Sequence, residues 1–282
     1  MNTYDIYKKF LHIQNRENLQ LQFETPEGLK TRIQFHHFHT HFDHNFHEWI
    51  FDNIIFHQDD HILEIGCGDG TLWSINQQRL PENIHITLSD ISQEMVNECY
   101  RQLHDIPQII AYDIADCFSL PYADESFDMV IINHVMMYLE HLDLALKEIK
   151  RVLKPGGSLY CTTIADDMLQ ERDELLRRFD PRISFHQEIL YHRFGYSNGK
   201  ERLQKYFCNI QLFDRQEIYE ITNLNLLYQF ILSGKGLSND LEILYRRKEE
   251  FYEFLNNIFI KNKTFKLTVH TGMFWAKKEN EK

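Results

Sequence analysis

The sequence predicts an α/β protein built around a mostly parallel sheet of seven strands, with helices on both faces. Three observations predict it. Over residues 61–164 short apolar runs alternate with stretches of helical period, the pattern of repeated strand–helix–strand units. The first of these strands ends in Gly66-Cys67-Gly68-Asp69-Gly70, a spacing that lets the backbone turn sharply into a helix. Two more strand-like runs, 209–214 and 263–277, come late in the chain.

Each element has its own signal. Residues 61–65 (HILEI) read as the first strand and 84–90 (IHITLSD) as the second. Ser92 suits the N-cap of the next helix, on which Met95, Val96, Cys99 and Leu103 share one face. Residues 108–113 predict a third strand and 127–133 (FDMVIIN) a fourth, whose continuous apolar content predicts burial on both faces. Leu142, Ala145, Leu146, Ile149, Val152 and Leu153 keep a helical spacing until Lys154-Pro155-Gly156-Gly157 stops it, and 158–164 follow as strand five. Residues 1–60 are rich in aromatics and histidine, with a helix predicted near 43–55 and Asp43 as its N-cap. Charged helical stretches over 165–207 are interrupted by Pro181 and by Gly195-Tyr196-Ser197-Asn198-Gly199. Between the last two strands Ser238 reads as the N-cap of a long helix with Leu241, Leu244, Phe251, Phe254, Leu255 and Ile258 on one face. The predicted organisation is an N-terminal helical lid (1–57), a ligand-binding core (58–165), a cap insertion (166–207), and the last two strands with a helical insertion (208–282).

Composition narrows the function. With 282 residues, 43% hydrophobic and 26% charged, the chain is an ordinary globular protein. Its net charge of −12 repels phosphate backbones, so no nucleic-acid partner is expected. The densest basic run, Arg246-Arg247-Lys248, is followed by Glu249-Glu250 and reads as one solvated helix face. Cys67, Cys99, Cys117, Cys161 and Cys208 form no CxxC pair, which predicts reduced thiols and a cytoplasmic protein. The first residues lack a cationic start with an apolar segment behind it, and no apolar run is long enough to cross a bilayer; a soluble chain without membrane insertion is expected.

The chemistry concentrates at the ends of the first strands. Closely spaced glycines let a ligand lie against bare main chain, and the helix that follows aims amides towards it. Two carboxylates add to this. Asp90 closes strand two, where its two oxygens could accept from both hydroxyls of a ribose. Asp113 closes strand three, where a purine would fall along the strand ends. With these runs in this order — LEIGCGDG, LSDIS, AYDIAD, LPYADESFDMVIINHVMMYL and RVLKPGGSLYCTT — the chain resembles the class I S-adenosylmethionine-dependent methyltransferases over roughly residues 60–165. It is closest to the small-molecule branch of the ubiquinone/menaquinone-biosynthesis type (methyltransferase type 11). The resemblance implies a Rossmann-like fold and S-adenosyl-L-methionine as cofactor. By it, Gly66 and Gly68, with Cys67 between them, pass the methionine part, and Glu64 orients the loop or contacts the amino group. Asp90 holds the ribose, Ile91 packs on adenine, Asp113 with Ile114 addresses the adenine amine, and Asn133 sits near the methionine end. For Ile91 and Ile114 core packing is an equal alternative. Small size alone accounts for Cys67.

Methyl transfer from a sulfonium calls on the protein mainly to position the acceptor, exclude water and in some cases take a proton. His134, directly after strand four, is the first candidate base, with a capping or packing role as its alternative; Tyr138 is a weaker candidate of the same kind. The histidines His36, His37, His39, His41, His44 and His47 lack cysteine or carboxylate partners at a recognised spacing, so no metal is predicted. Interleaved with Phe35, Phe38, Phe42, Phe46 and Trp49, they read as a lid over cofactor and acceptor, or as a structural helix. Residues near Trp73 and in the second cap, including Phe185, Tyr191, Phe194, Tyr196, Tyr228 and Phe230, could line an acceptor site with apolar or aromatic character, or form plain core. An NAD-dependent oxidoreductase and a non-catalytic S-adenosylmethionine-binding protein are the alternative functions. Against the oxidoreductase, the loop is G-x-G-x-G rather than G-x-G-x-x-G, and Gly199 disqualifies the Tyr-x-x-x-Lys match at 196–200. Asn133-His134-Val135-Met136 likewise departs from the Asn/Asp-Pro-Pro-Tyr/Phe run of base-amine methylases.

Overall fold

The computed structural model describes residues 27–183, 187–233 and 240–280. Phe185 and Ser238, both singled out above, lie outside these residues, as does the N-terminal stretch before 27. The chain divides into two compact units: residues 44–166, 189–215 and 271–282 form one, and 1–43, 167–188 and 216–270 the other.

Seven strands form a sheet in the order β3-β2-β1-β4-β5-β7-β6, the first five of them within the first unit. Its strands are β1 (His61–Ile65), β2 (His85–Asp90), β3 (Ile109–Ile114), β4 (Phe127–Ile132), β5 (Leu153–Ile164), β6 (Cys208–Ile221) and β7 (Phe265–Lys277). The first five are parallel, and β7 runs antiparallel to β5. The fold is α/β and Rossmann-like, with the strand order reversing between β1 and β4.

Side chains alternate across a strand, so a central strand buried on both faces must be apolar throughout. Leu63, Val130, Ile132 and Leu159 join one buried cluster, while their neighbours Ile62, Met129, Ile131 and Tyr160 join another. Helix α5 (Leu142–Val152) covers the first face with Leu142, Ala145, Leu146, Ile149 and Val152. Helix α4 (Gln93–Leu103) lays Cys99 and Leu103 on the second, and its N-cap Ser92 accepts from the Met95 amide at 3.3 Å. Helices α2 (Phe46–Asp52) and α3 (Thr71–Asn76) add Ile50, Phe51, Leu72 and Trp73 to that face.

Three boundaries differ from expectation. Helix α2 starts at Asn45 rather than Asp43: Asn45 accepts from the His47 and Glu48 amides while Glu48 accepts from the Asn45 amide at 2.8 Å, a reciprocal cap unavailable to Asp43. Strand β5 begins at Leu153, taking in Lys154-Pro155-Gly156-Gly157; Gly156 at φ +74° and a register shift against β4 show a bulged start. Strand β6 runs to Ile221, seven residues past its predicted end at 214.

The second unit is built around a separate apolar cluster. Helix α1 (Glu27–His39) inserts Phe35, stacked on Phe230 at 3.9 Å, into a core shared with Leu176, Tyr219, Leu227, Phe251 and Leu255. His36, His37 and His39 therefore sit on a helix. The long helix predicted before the last strand is two helices, Asp240–Arg246 and Lys248–Asn262, parted at Arg247, which donates to Asp180 and Glu250. No helix among the described residues is long and apolar enough to cross a membrane.

Candidate cofactor and acceptor site

The glycine loop closes β1 and is strapped to the end of β2. The Gly66 and Cys67 amides donate to the Ser89 carbonyl at 2.7 and 2.9 Å, and the Gly68 amide donates to Asp90 Oδ2 at 3.1 Å. These amides are thus spent on the fold. Gly66, Gly68 and Gly70 all have positive φ, at 72°, 56° and 80°. A Cβ on Gly66 would also lie 2.4 Å from Val135, just past β4, so glycine is required there by conformation and by close approach.

Buried carboxylates ring this loop. Glu64, 2% exposed, accepts from Trp73 Nε1 at 2.6 Å and from Asn133 Nδ2 at 3.2 Å. Burial, with the nearby Asp90 and Asp69 charges, pushes its carboxyl up to about 8 against these two donors. Asp90 is 9% exposed; its Oδ1 takes the Ser92 amide at 2.9 Å, and burial raises its pKa. Asp113 sits one residue before the end of β3, opposite Ser89, and accepts from the Tyr122 hydroxyl at 3.0 Å. Among the described residues no ion pair reaches Glu64, Asp90 or Asp113. Asn133 Oδ1 is buried and has no hydrogen-bond partner among the described residues. Buried acceptors are almost always satisfied, so this oxygen points to a missing donor.

Ile91 and Ile114 are 41% and 51% exposed, which removes the core-packing alternative for both. Ile114 pairs with Asp90 in the β2–β3 register, so an apolar rim flanks the carboxylate. Cys67 is a buried free thiol; the adjoining Cys99 thiol and burial raise its pKa well above the ordinary value, which leaves no thiolate.

At the tip of β4, His134 adopts φ +51°, with its amide donating to Thr162 Oγ1 at 2.9 Å. Its imidazole stacks on Phe46 of α2 at 5.1 Å, and Phe46 stacks on Trp49 at 6.0 Å. Burial lowers both His134 and its neighbour His47 to about 4, so both rings are neutral at pH 7. Tyr138 lies in the short turn Met136–Tyr138 and its carbonyl accepts from Arg193 at 3.3 Å.

Several predicted residues thus converge: Glu64 with Asn133, Gly68 with Asp90, and Ile114 beside Asp90. Others fall elsewhere. Phe194 is fully buried in the core of the first unit and Phe230 in that of the second, while Tyr196 donates to Asp214 at 3.0 Å. Trp73 holds Glu64 rather than lining an acceptor pocket. Tyr122 was missed, its only signal being its place in LPYADESFD; Phe46 and His47 belong to the run read as a lid, but their pairing with His134 had no signal of its own.

A family profile described as a methyltransferase domain matches residues 63–161, which span β1 to β5 and every residue of this loop, strand-end and strand-four set except its outermost partners. Over residues 63–161 this chain is similar to a methyltransferase domain. The domain is 35% identical over 114 residues to a malonyl-[acyl-carrier protein] O-methyltransferase of Erwinia billingiae, covering 40% of this chain and 43% of that protein. It is 37% identical over 98 residues to a ubiquinone/menaquinone biosynthesis C-methyltransferase of Laribacter hongkongensis, covering 35% of this chain and 40% of that one. The chain thus spans less than half of the curated relatives it matches. Beyond the domain, likeness is structural. Phosphoethanolamine N-methyltransferase 2 of Haemonchus contortus, solved with S-adenosyl-L-methionine, superposes with TM-score 0.55 at 17% identity over 94% of this chain and 60% of that one. The YcgJ protein from a Bacillus superposes with TM-score 0.54 at 16% identity over 83% of this chain and 98% of that one. Both likenesses are of fold alone.

Proposed function

We propose that the chain transfers a methyl group from S-adenosyl-L-methionine to a small-molecule acceptor by in-line displacement. The observation that carries this reading is the acid-rich loop: the carboxyl groups of Glu64, Asp90 and Asp113, with no cation among the described residues, beside a buried Asn133 oxygen that lacks a donor among them. Such a set favours a cationic ligand carrying N–H and O–H donors, and disfavours a pyrophosphate. Glu64 and Asn133 would receive the ammonium, Asp90 the ribose hydroxyls, and Ile91 and Ile114 the faces of the base.

The cofactor supplies the electrophilic methyl and a neutral leaving group. The chain's own part is then to orient and to desolvate. His134 and Phe46 form an aromatic wall at the strand-four tip, suited to an acceptor with an apolar or aromatic part. As a neutral imidazole, His134 can take a proton from the acceptor, although its low pKa makes it a weak base. The free cysteines suit a cytoplasmic setting. A thermal-shift comparison tests the cofactor: stabilisation by S-adenosylhomocysteine without stabilisation by NADH is expected, and the reverse order would overturn the reading.

A further inference from the structure

Away from the glycine loop, one cavity carries charges that the cofactor reading does not use. It has a volume of about 280 Å³ and lies where α5 begins, lined by Leu139, Glu140, Leu142 and Asp143 together with Arg193 and Arg202. The two arginines come from the helices Gln187–Phe194 and Gly199–Gln204. All six residues belong to the sheet-bearing unit. The walls are anchored in one core: Leu139, Leu142, Phe194 and Leu203 share a buried cluster, and a Cβ on Gly199 would meet the Phe274 ring at 2.4 Å. A cavity so anchored is preformed, which lowers the ordering cost of binding.

Its charges are of both signs, and they do not cancel. Among the described residues no ion pair joins Arg193 or Arg202 to Glu140 or Asp143. Arg193 donates to the Tyr138 carbonyl at 3.3 Å, and the Tyr206 hydroxyl faces Asp143. That leaves half-buried Arg202 and exposed Glu140, whose side chains form no hydrogen bond or ion pair among the described residues. A guanidinium held partly out of water without a counter-ion favours a carboxylate, which it can bind as a two-pronged fork. A carboxylate on the same wall repels a plain anion and accepts from an ammonium. Leu139 and Leu142, both buried, add an apolar surface beside them. The volume lies just under the roughly 300 Å³ at which ligand pockets commonly begin, so the ligand is small.

We propose that this cavity binds a free α-amino acid with an apolar side chain, its carboxylate on Arg202, its ammonium on Glu140 and its side chain against Leu139 and Leu142. The cavity shares no residue with the glycine loop, and the inference does not rest on the S-adenosylmethionine reading.

The test is saturation-transfer NMR titration of the full chain with L-leucine, with 4-methylpentanoate, which lacks the ammonium, and with 3-methylbutylamine, which lacks the carboxylate. Leucine is expected to bind saturably below about 20 mM. The amine should bind at least about tenfold more weakly, as loss of a charge-assisted pair implies, and the acid about two- to fivefold more weakly, since Glu140 is exposed. Arg202→Gln should weaken leucine by about tenfold at an unchanged melting temperature, and Arg202→Lys by less. Glu140→Gln should remove the advantage of leucine over the acid. S-adenosylhomocysteine should leave the leucine signal in place. No saturable leucine signal, equal affinity for the three compounds, tighter binding of the acid than of leucine, an unchanged affinity in Arg202→Gln, or displacement by S-adenosylhomocysteine each overturns the proposal. None of these but the last involves the cofactor, so failure here and failure of the cofactor reading are separately visible.

Discussion

Glu64 gives the sharpest test of the site's electrostatics. Among the described residues its hydrogen-bond donors are neutral, the Trp73 indole and the Asn133 amide, and it is raised from 4.5 to about 8. The sign follows from linkage. Below the unfolded value both states hold the proton and nothing changes with pH. Between 4.5 and about 8 the unfolded carboxyl has ionised while the folded one keeps its proton, so folding takes up a proton and stability falls as pH rises. Above about 8 the curve flattens again. Each unit inside the window is worth about 1.4 kcal/mol, so moving from pH 5 to 7 should cost the fold about 2–3 kcal/mol through this one group. Glu64→Gln removes the titration while retaining an acceptor for Trp73 and a donor that can turn to Asn133 Oδ1. Urea unfolding followed by tryptophan fluorescence suits the measurement, because Trp49, Trp73 and Trp275 all lie in the sheet-bearing unit. The wild-type curve should fall more steeply with pH than that of Glu64→Gln across the window, and subtraction cancels His47 and His134, whose pKa values are lowered and whose slopes run the other way. Parallel curves for the two proteins would refute the assignment of a protonated, uncompensated Glu64.

Three further outcomes are expected. Asp90→Ala should weaken S-adenosylhomocysteine binding by about 1.5–3 kcal/mol, the worth of charge-assisted bonds to a ribose; unchanged affinity in calorimetry would remove Asp90 from the cofactor. His134→Ala should leave cofactor affinity near the wild-type value while lowering turnover, and wild-type turnover should hold from pH 8 down to about 5 and fall near 4, where the imidazole gains its proton; full turnover in His134→Ala would make the ring structural. Gly66→Ala combines a left-handed backbone with a Cβ against Val135, so its melting free energy should drop by about 2–5 kcal/mol, and Val135→Ala should recover part of it; a neutral Gly66→Ala would show that the loop adopts another conformation.

Much of the sheet was legible because central parallel strands must be apolar on both faces, and Phe127–Ile132 or Leu159-Tyr160-Cys161 satisfy that without interruption. The far half of β6 was not, for a physical reason. Its buried positions after 214 include Arg215 and Glu217, while Ile218 is 56% exposed, which inverts the usual inside–outside pattern. Arg215 is accommodated by the His44 carbonyl and the Trp49 ring, and Glu217 by Thr40 and the His41 amide. Partners so distant in sequence leave no local trace. Helix α1 hid for a related reason: with phenylalanines and histidines spread around it, no apolar stripe of helical period marks it. The α2 cap was in plain view, since Asn45 followed three residues later by Glu48 is a capping box, but Asp43 drew attention first.

The site was legible where motif spacing fixes the backbone and obscure where side chains meet across turns. Gly66, Gly68 and Asp90 belong to the first group, and the Gly68–Asp90 bond joins two of them. Trp73 on Glu64 and Tyr122 on Asp113 belong to the second, each pair nine residues apart across a change of element. His134 was found by its position after β4, but the neutral state that shapes its chemistry comes from burial and, after it, from His47, on a helix outside the matched domain that also supplies the stacked Phe46.

The central claim is that these strand ends hold an adenosyl sulfonium, and direct titration of the purified chain with S-adenosyl-L-methionine tests it. One bound ligand per chain, displaced by S-adenosylhomocysteine and weakened by Asp90→Ala, is the result predicted. Absence of uptake at concentrations of about a millimolar, where even a binding free energy of about −4 kcal/mol would register, would contradict it.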